Sequence, residues 1–496
     1  MMDLSQFAQA ALILASPSVW LWLIVGTALG MVFGAAPGLT ATAGIAIATP
    51  LTFGFDFASS MALLLGLYCS GYFAGSIPAI LINMPGAPGN AATSLDGHAL
   101  ARRGKADLAL CLAVIGSAMG GFLSILVLAF AAPTLSSFAL RFTSVEYAVF
   151  GMFGLTCIAA ISRGSLVSGL LGAVLGMVLG LVGIDPVGGM ERLTFGNFSL
   201  LTGIALLPAL IAFFAITEVF AQAMAGQHGQ ELPRQEQAAP LAVFGLVLRR
   251  WWLVLKSGAI GIGIGLLPGT GPTIASWIAY GEAARGDPKV GSKDGSESGV
   301  LASEVANNAV TGAALVPLLT LGIPGDTVTA ILIGAFLIQG IEVGPLFIAT
   351  HGQLFMQILI LLALANLAIL VVGLGTRRWL PLLLRIPQRI LVPLIVVFCA
   401  AGAFSVNNMS FDVLMILVLG FGGFVLMRLG MPMAPVVLGL VLGPIVERNL
   451  RDALTVHQMD WSVFVTRPIS LAILCITLLV IGVTYWRSRS RSRPAT

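Results

Sequence analysis

GLLPGTGPTIASWIAYG, residues 265–281, breaks an apolar stretch with Pro268-Gly269 and again with Pro272. Proline removes an amide donor and crowds the preceding turn, and glycine admits a sharp change of direction, so one helix ends here and another begins. Arg249 and Arg250 precede the stretch and Arg285 follows it. Basic loops face the cytoplasm, so the chain is expected to enter and return on the same side. The arm after the break holds about 13 residues and rises only ~20 Å as a helix, against a hydrocarbon core of ~30 Å. Residues 251–283 therefore read as a re-entrant helical hairpin with its tip inside the membrane. Backbone without regular structure at that depth must be buried in protein or line a watery cavity.

The same signature occurs in the other half. GAAPGLTATAGIAIATPLTF (34–53) carries Pro37-Gly38, and 20–53 reads as the twin hairpin. Pro78 and Pro85-Gly86 follow it, as Pro317 and Pro324-Gly325 follow the second break. Pro37 to Pro268 is an offset of 231; Pro78 to Pro317 and Pro85 to Pro324 are both offsets of 239. Basic loops in one half fall opposite loops without Lys or Arg in the other: Arg285 against Gly54, Arg102 against Ile341. Two repeats of opposite membrane orientation give that pattern, and paired interrupted segments point to a transporter's binding site.

Composition agrees. Of 496 residues, 58% are apolar and 9% charged, far from the roughly 25% charged of soluble domains. The expected fold is an all-α polytopic membrane protein of two inverted-topology repeats with broken or re-entrant helices, about 11–14 membrane segments in all. The expected division is a first repeat over 1–225, a cytoplasmic linker over 226–250, a second repeat over 251–465, and a C-terminal helix with a basic cytoplasmic tail over 466–496. The N-terminus lacks the basic region of a cleavable signal, so the first apolar helix is expected to be kept.

The breaks supply the chemistry. Each new helix begins with free N–H groups at its positive end, a ready anion site. Candidate substrate-binding residues are Pro37, Gly38, Thr40, Thr42, Asn83, Pro85, Gly86, Asn90, Thr93, Pro268, Gly269, Thr270, Gly271 and Thr273. Gly, Ser and Thr also serve helix packing, which is the bland alternative for any one of them. Asn307, Asn308, Pro324, Gly325, Asp326 and Thr327 are the candidate residues for a coupling cation, Na+ or H+. Glu304, in SEVANNAVTG, is an intramembrane carboxylate and functional by default, and Asp326 also reads as a helix N-cap.

Other chemistries are excluded. Five scattered cysteines suggest neither disulfides nor a metal site, and four dispersed histidines make no ligand cluster. Gly269-Thr270-Gly271-Pro272-Thr273 lacks the lysine of a phosphate loop. The Arg-Ser tail reads as a membrane anchor, not as a nucleic-acid segment. A channel or scaffold subunit would need no paired polar breaks, and an embedded enzyme would need a second convergent group beside Glu304 or Asp326.

Over most of its length the chain resembles the large membrane subunit of tripartite tricarboxylate transporters, the TctA family. The stretches that carry the resemblance are 34–53, GSIPAILINMPGAPGNAATSLDGHALARRGKADLAL (75–110), 265–281 and EVANNAVTGAALVPLLTLGIPGDTVTAILIGAFLIQGIEVGP (304–345). The resemblance implies a multi-pass protein of the bacterial inner membrane with a cytoplasmic C-terminus. It implies secondary uptake of organic carboxylates driven by a sodium or proton gradient, without other cofactors. Its implied partners are a small membrane subunit and a periplasmic solute-binding protein.

Overall fold

A computed structural model describes residues 4–36, 39–161, 166–224, 237–269, 271–384 and 388–491. The first half holds α1 (Leu4–Leu14), α2 (Pro17–Ala35), α3 (Ala41–Leu51), α4 (Phe57–Ala74), α5 (Ser76–Ile82), α6 (Ala91–Arg102), α7 (Ala106–Ala139), α8 (Ser144–Ile161) and α9 (Leu166–Gly180). A two-stranded hairpin, β1 (Gly183–Ile184) and β2 (Glu191–Arg192), leads to α10 (Leu206–Ile211), a π-helical segment (Ala212–Ile216) and α11 (Thr217–Met224). Then come α12 (Pro240–Arg249), α13 (Trp251–Gly265), α14 (Gly271–Gly286), α15 (Glu297–Leu321), α16 (Thr327–Ile338), the one-turn α17 (Phe347–Thr350) and α18 (Gly352–Thr376). The chain closes with α19 (Leu380–Leu383), α20 (Gln388–Asn407), α21 (Ser410–Arg428), α22 (Met433–Val456), α23 (Val463–Thr466) and α24 (Pro468–Arg491). Among the described residues, eight helices are long and apolar enough to cross a membrane. The protein is all-α and polytopic. Residues 240–249 of the segment read as a linker are helical, and 225–236 lie outside the described residues.

The sequence offsets reappear as element bounds. Shifted by 239, the α4–α5 segment 57–82 falls on α15, 297–321; shifted by 231, α2 and α3 fall on α13 and α14. Packing is matched in detail. A Cβ at Gly34 would lie 2.8 Å from the Ala74 Cβ, and one at Gly265 would lie 2.7 Å from the Ala313 Cβ. Gly30 meets the Leu67 carbonyl and Gly261 the Ala306 carbonyl, again equivalent positions.

These contacts also give direction. Gly261 lies beside Ala306 and Gly265 beside Ala313, so α13 runs parallel to α15. Pro272 lies near Asn307, both meeting Gly89, while Tyr280 lies against Gly299, so α14 runs back. The α13–α14 hairpin thus turns beside the middle of α15, whose ends are at 297 and 321. Between the halves, Gly121 meets Asn366 and Val114 meets Gly373, so α7 and α18 are antiparallel. Ser117 touches Glu304 and Ser124 touches Gly312, so α7 and α15 are parallel.

Candidate functional site

α15 starts at Ser296, whose hydroxyl accepts from the Ser298 amide at 3.0 Å, and stops at Gly322, left-handed at φ 71°. Its middle carries Glu304, Asn307 and Asn308, all buried. The Glu304 carboxyl accepts at Oε1 from Thr93 Oγ1 (2.6 Å) and Asn90 Nδ2 (3.1 Å), and at Oε2 from Ser117 Oγ (3.0 Å). Ser303 Oγ lies 2.8 Å from Thr93 Oγ1. Asn90 and Asn307 both donate to the Tyr72 carbonyl at 3.1 Å. Donors from the first half thus close on a carboxyl from the second.

Asp326 caps α16 through a reciprocal pair. Its Oδ1 accepts from the Thr329 amide at 2.7 Å, and Thr329 Oγ1 accepts from the Asp326 amide at 2.8 Å. Its Oδ2 accepts from Tyr68 (2.8 Å) and Tyr72 (2.7 Å). Tyr72 therefore joins both carboxyl centres, by its hydroxyl to one and its carbonyl to the other. Among the described residues neither Glu304 nor Asp326 has a Lys, Arg or His partner.

The Gly269 and Pro324-Gly325 breaks lie beside this centre. Gly269, at φ 74°, donates its amide to the Gly325 carbonyl at 2.8 Å. Pro268, Pro324, Gly325, Asn90 and Thr93 are buried, while Gly269, Gly271, Thr273, Thr42 and Gly86 are half-buried. Thr40 caps α3, accepting from the Ala43 amide at 3.1 Å. Thr327, half-buried, opens α16. Asn83, left-handed at φ 56°, and Pro85 are exposed, apart from the buried centre. Pro37, Gly38 and Thr270 lie outside the described residues. The described hydrogen bonds join the second tip to Gly325; none joins Thr40 to Gly271 or Thr273.

Tyr68, Tyr72, Ser117 and Ser303 were not legible as site residues. The available signal was weak: two of the chain's five tyrosines stand four apart on one apolar helix.

Fold and site define a polytopic helical membrane protein organised around two broken segments and two buried carboxyls. A profile of the tripartite tricarboxylate transporter TctA family matches residues 20–438, and the chain belongs to that family. It is a family of transporter subunits, not of enzymes. The chain is 37% identical over 466 residues to the uncharacterized 52.8 kDa protein of the TAR-I ttuC' 3' region of Agrobacterium vitis, covering 92% of this chain and 91% of that protein. It is 39% identical over 221 residues to a protein of the TAR-II ttuC' 3' region of the same organism, covering 44% of this chain and 90% of that protein. No solved structure matches.

Proposed function

We propose that this chain is the large permease subunit of a binding-protein-dependent transporter that takes up organic carboxylates by secondary-active transport. The observation that carries the reading is the meeting of α6 and α14 at their N-termini, with Pro272 against Gly89. Two positive helix ends at one partly buried place favour an anion. Thr40, Thr42, Gly269, Gly271 and Thr273 are the residues we assign to the substrate carboxylates, and Pro37, Gly38 and Thr270, outside the described residues, are assigned with them on the sequence pattern alone. Asn307, Asn308, Pro324, Gly325, Asp326 and Thr327, at or next in sequence to the two carboxyl centres, form the region we assign to the coupling cation. The halves are read as inverted repeats, because α7 and α18, equivalent by the 239 offset, are antiparallel. A small membrane subunit, a periplasmic binding protein and a bacterial inner membrane with the C-terminus inside complete the system by family membership.

The test is uptake into proteoliposomes carrying this chain and its two partners, with citrate and succinate as probes. Accumulation against a concentration difference should require an imposed Na+ or H+ gradient. Thr273→Val should weaken apparent affinity roughly ten- to a hundredfold, the equivalent of about 1.5–3 kcal/mol for a charge-assisted bond. Flux that merely equilibrates the probe, whatever gradient is imposed, would make the chain a channel.

A further inference from the structure

We propose that α7, α15 and α18 enclose a site for a desolvated sodium ion, built from Asn308, Asn366 and the carboxylate of Glu304. The proposal rests on the ion-coupled reading above and narrows where the ion sits.

Asn308 is fully buried, and neither its Oδ1 nor its Nδ2 has a hydrogen-bond partner among the described residues. Asn366 is fully buried as well; its Nδ2 donates to the Leu362 carbonyl at 2.8 Å, while its Oδ1 has no partner. Buried amides are almost always satisfied, and an orphaned pair in the middle of a membrane bundle points to a ligand. The two belong to one layer. α7 and α15 run in register, with Ser117 on Glu304, Gly120 against the Val305 carbonyl and the Ala309 amide, and Ser124 on the Gly312 amide. Asn308 is therefore level with Gly120 and Gly121. α18 enters the same layer: a Cβ on residue 121 would lie 1.8 Å from Asn366 Oδ1, so only glycine there lets the amide in.

The donors are two amide oxygens, the Ser117 hydroxyl and one carboxylate four residues before Asn308, on the same helix face. These are hard oxygen ligands without imidazole or thiolate, and they suit an alkali or alkaline-earth cation. A single carboxylate with no basic partner balances one positive charge, which selects a monovalent ion. The two Asp326 oxygens accept from Tyr68, Tyr72, the Thr329 amide and Thr329 Oγ1, and Glu304 Oε2 accepts from Ser117 on α7, beside Asn308.

The test needs no substrate. The purified full chain is unfolded thermally in detergent while NaCl replaces choline chloride at constant ionic strength. The midpoint should rise saturably with sodium. Asn308→Leu and Asn366→Leu should each weaken the apparent sodium affinity about tenfold or more. Asn308→Leu, similar in shape and without an amide to bury, should be at least as stable as the parent in choline, which separates ligand loss from misfolding. Asn449→Leu, whose amide bonds Ile445 on α22, should keep the affinity unchanged. A parent indifferent to sodium overturns the proposal. So do asparagine variants that keep the shift. Stabilisation by protons instead of sodium, lost in Glu304→Gln, also overturns it. Sodium binding without carboxylate uptake would instead count only against the function proposed above.

Discussion

Tyr68 and Tyr72 show how single residues hold the centre. Each hydroxyl donates to Asp326 Oδ2, which is buried and, among the described residues, has no Lys, Arg or His partner. Tyr68→Phe and Tyr72→Phe should each cost about 1–3 kcal/mol, because a hydrogen bond to a charged group is lost while its partner stays buried. The double variant should depart from additivity by more than about 0.5 kcal/mol, since the two share one acceptor atom. Denaturant unfolding followed by circular dichroism measures both. Unchanged midpoints would mean the tyrosines do not hold the carboxyl. Asp326 itself was legible as a cap, because Asp-Thr-Val-Thr places an acceptor three residues ahead of a hydroxyl. The tyrosines were not, because their partner lies 258 and 254 residues away.

At the scale of elements, close helix approach decides which glycines matter. A Cβ at Gly261 would lie 2.5 Å from the Ala306 carbonyl oxygen, whereas one at Gly263 meets nothing within 4 Å. Gly261→Ala should therefore destabilise by about 1–3 kcal/mol, and Gly263→Ala should be neutral or stabilising by up to about 1 kcal/mol. Equal effects would show that α13 does not rest on α15 as described. A second element is the hairpin of β1 and β2. Asp185 accepts from the Val187 and Gly188 amides and pairs with Arg192 and Arg451 at 2.8 Å. Burial alone would raise its pKa, but these donors outweigh it and hold the carboxyl down at about 2. A depressed pKa gives stability that is complete above the ordinary value of 3.8 and is lost as pH falls toward about 2. Proteolysis or amide exchange of 183–192 should rise over that window. In Arg451→Ala the folded carboxyl should move back toward 3.8, so the contribution should be smaller and its loss complete at a higher pH; a coincident profile would remove the ion pair from the account.

For the whole molecule, the paired offsets and antiparallel α7 and α18 make orientation testable. Lys289→Cys should be shielded from an impermeant thiol reagent in intact cells, and Val343→Cys and Phe198→Cys should be labelled. The reverse pattern would overturn the topology. The two charge lattices fit this arrangement: Asp107 and Arg377 tie the start of α7 to the end of α18, and Arg192, Glu447 and Arg451 tie β2 to α22 at the other face. Severing the first by Asp107→Asn should leave Arg377 without its carboxylate. The amide of Ala238, which donates to Asp107 Oδ2 at 2.8 Å, should then exchange faster.

Much of this was written in local sequence. Pro268-Gly269 and Pro324-Gly325 end helices by steric rules that act over a few residues, and the scarcity of charge dictates a bilayer whatever the fold. The offsets of 231 and 239 line up the bounds of α2 to α5 with those of α13 to α15. Burial and partnership were not written there. Nothing near Glu304 in the chain announces Ser117, 187 residues away, or says that Asn83 would be exposed while Asn90 is buried. The side chain that satisfies a buried carboxyl is chosen by which helices touch, and that choice is made by glycine-sized gaps such as Gly121 and Gly261, whose meaning appears only when a neighbouring backbone fills them.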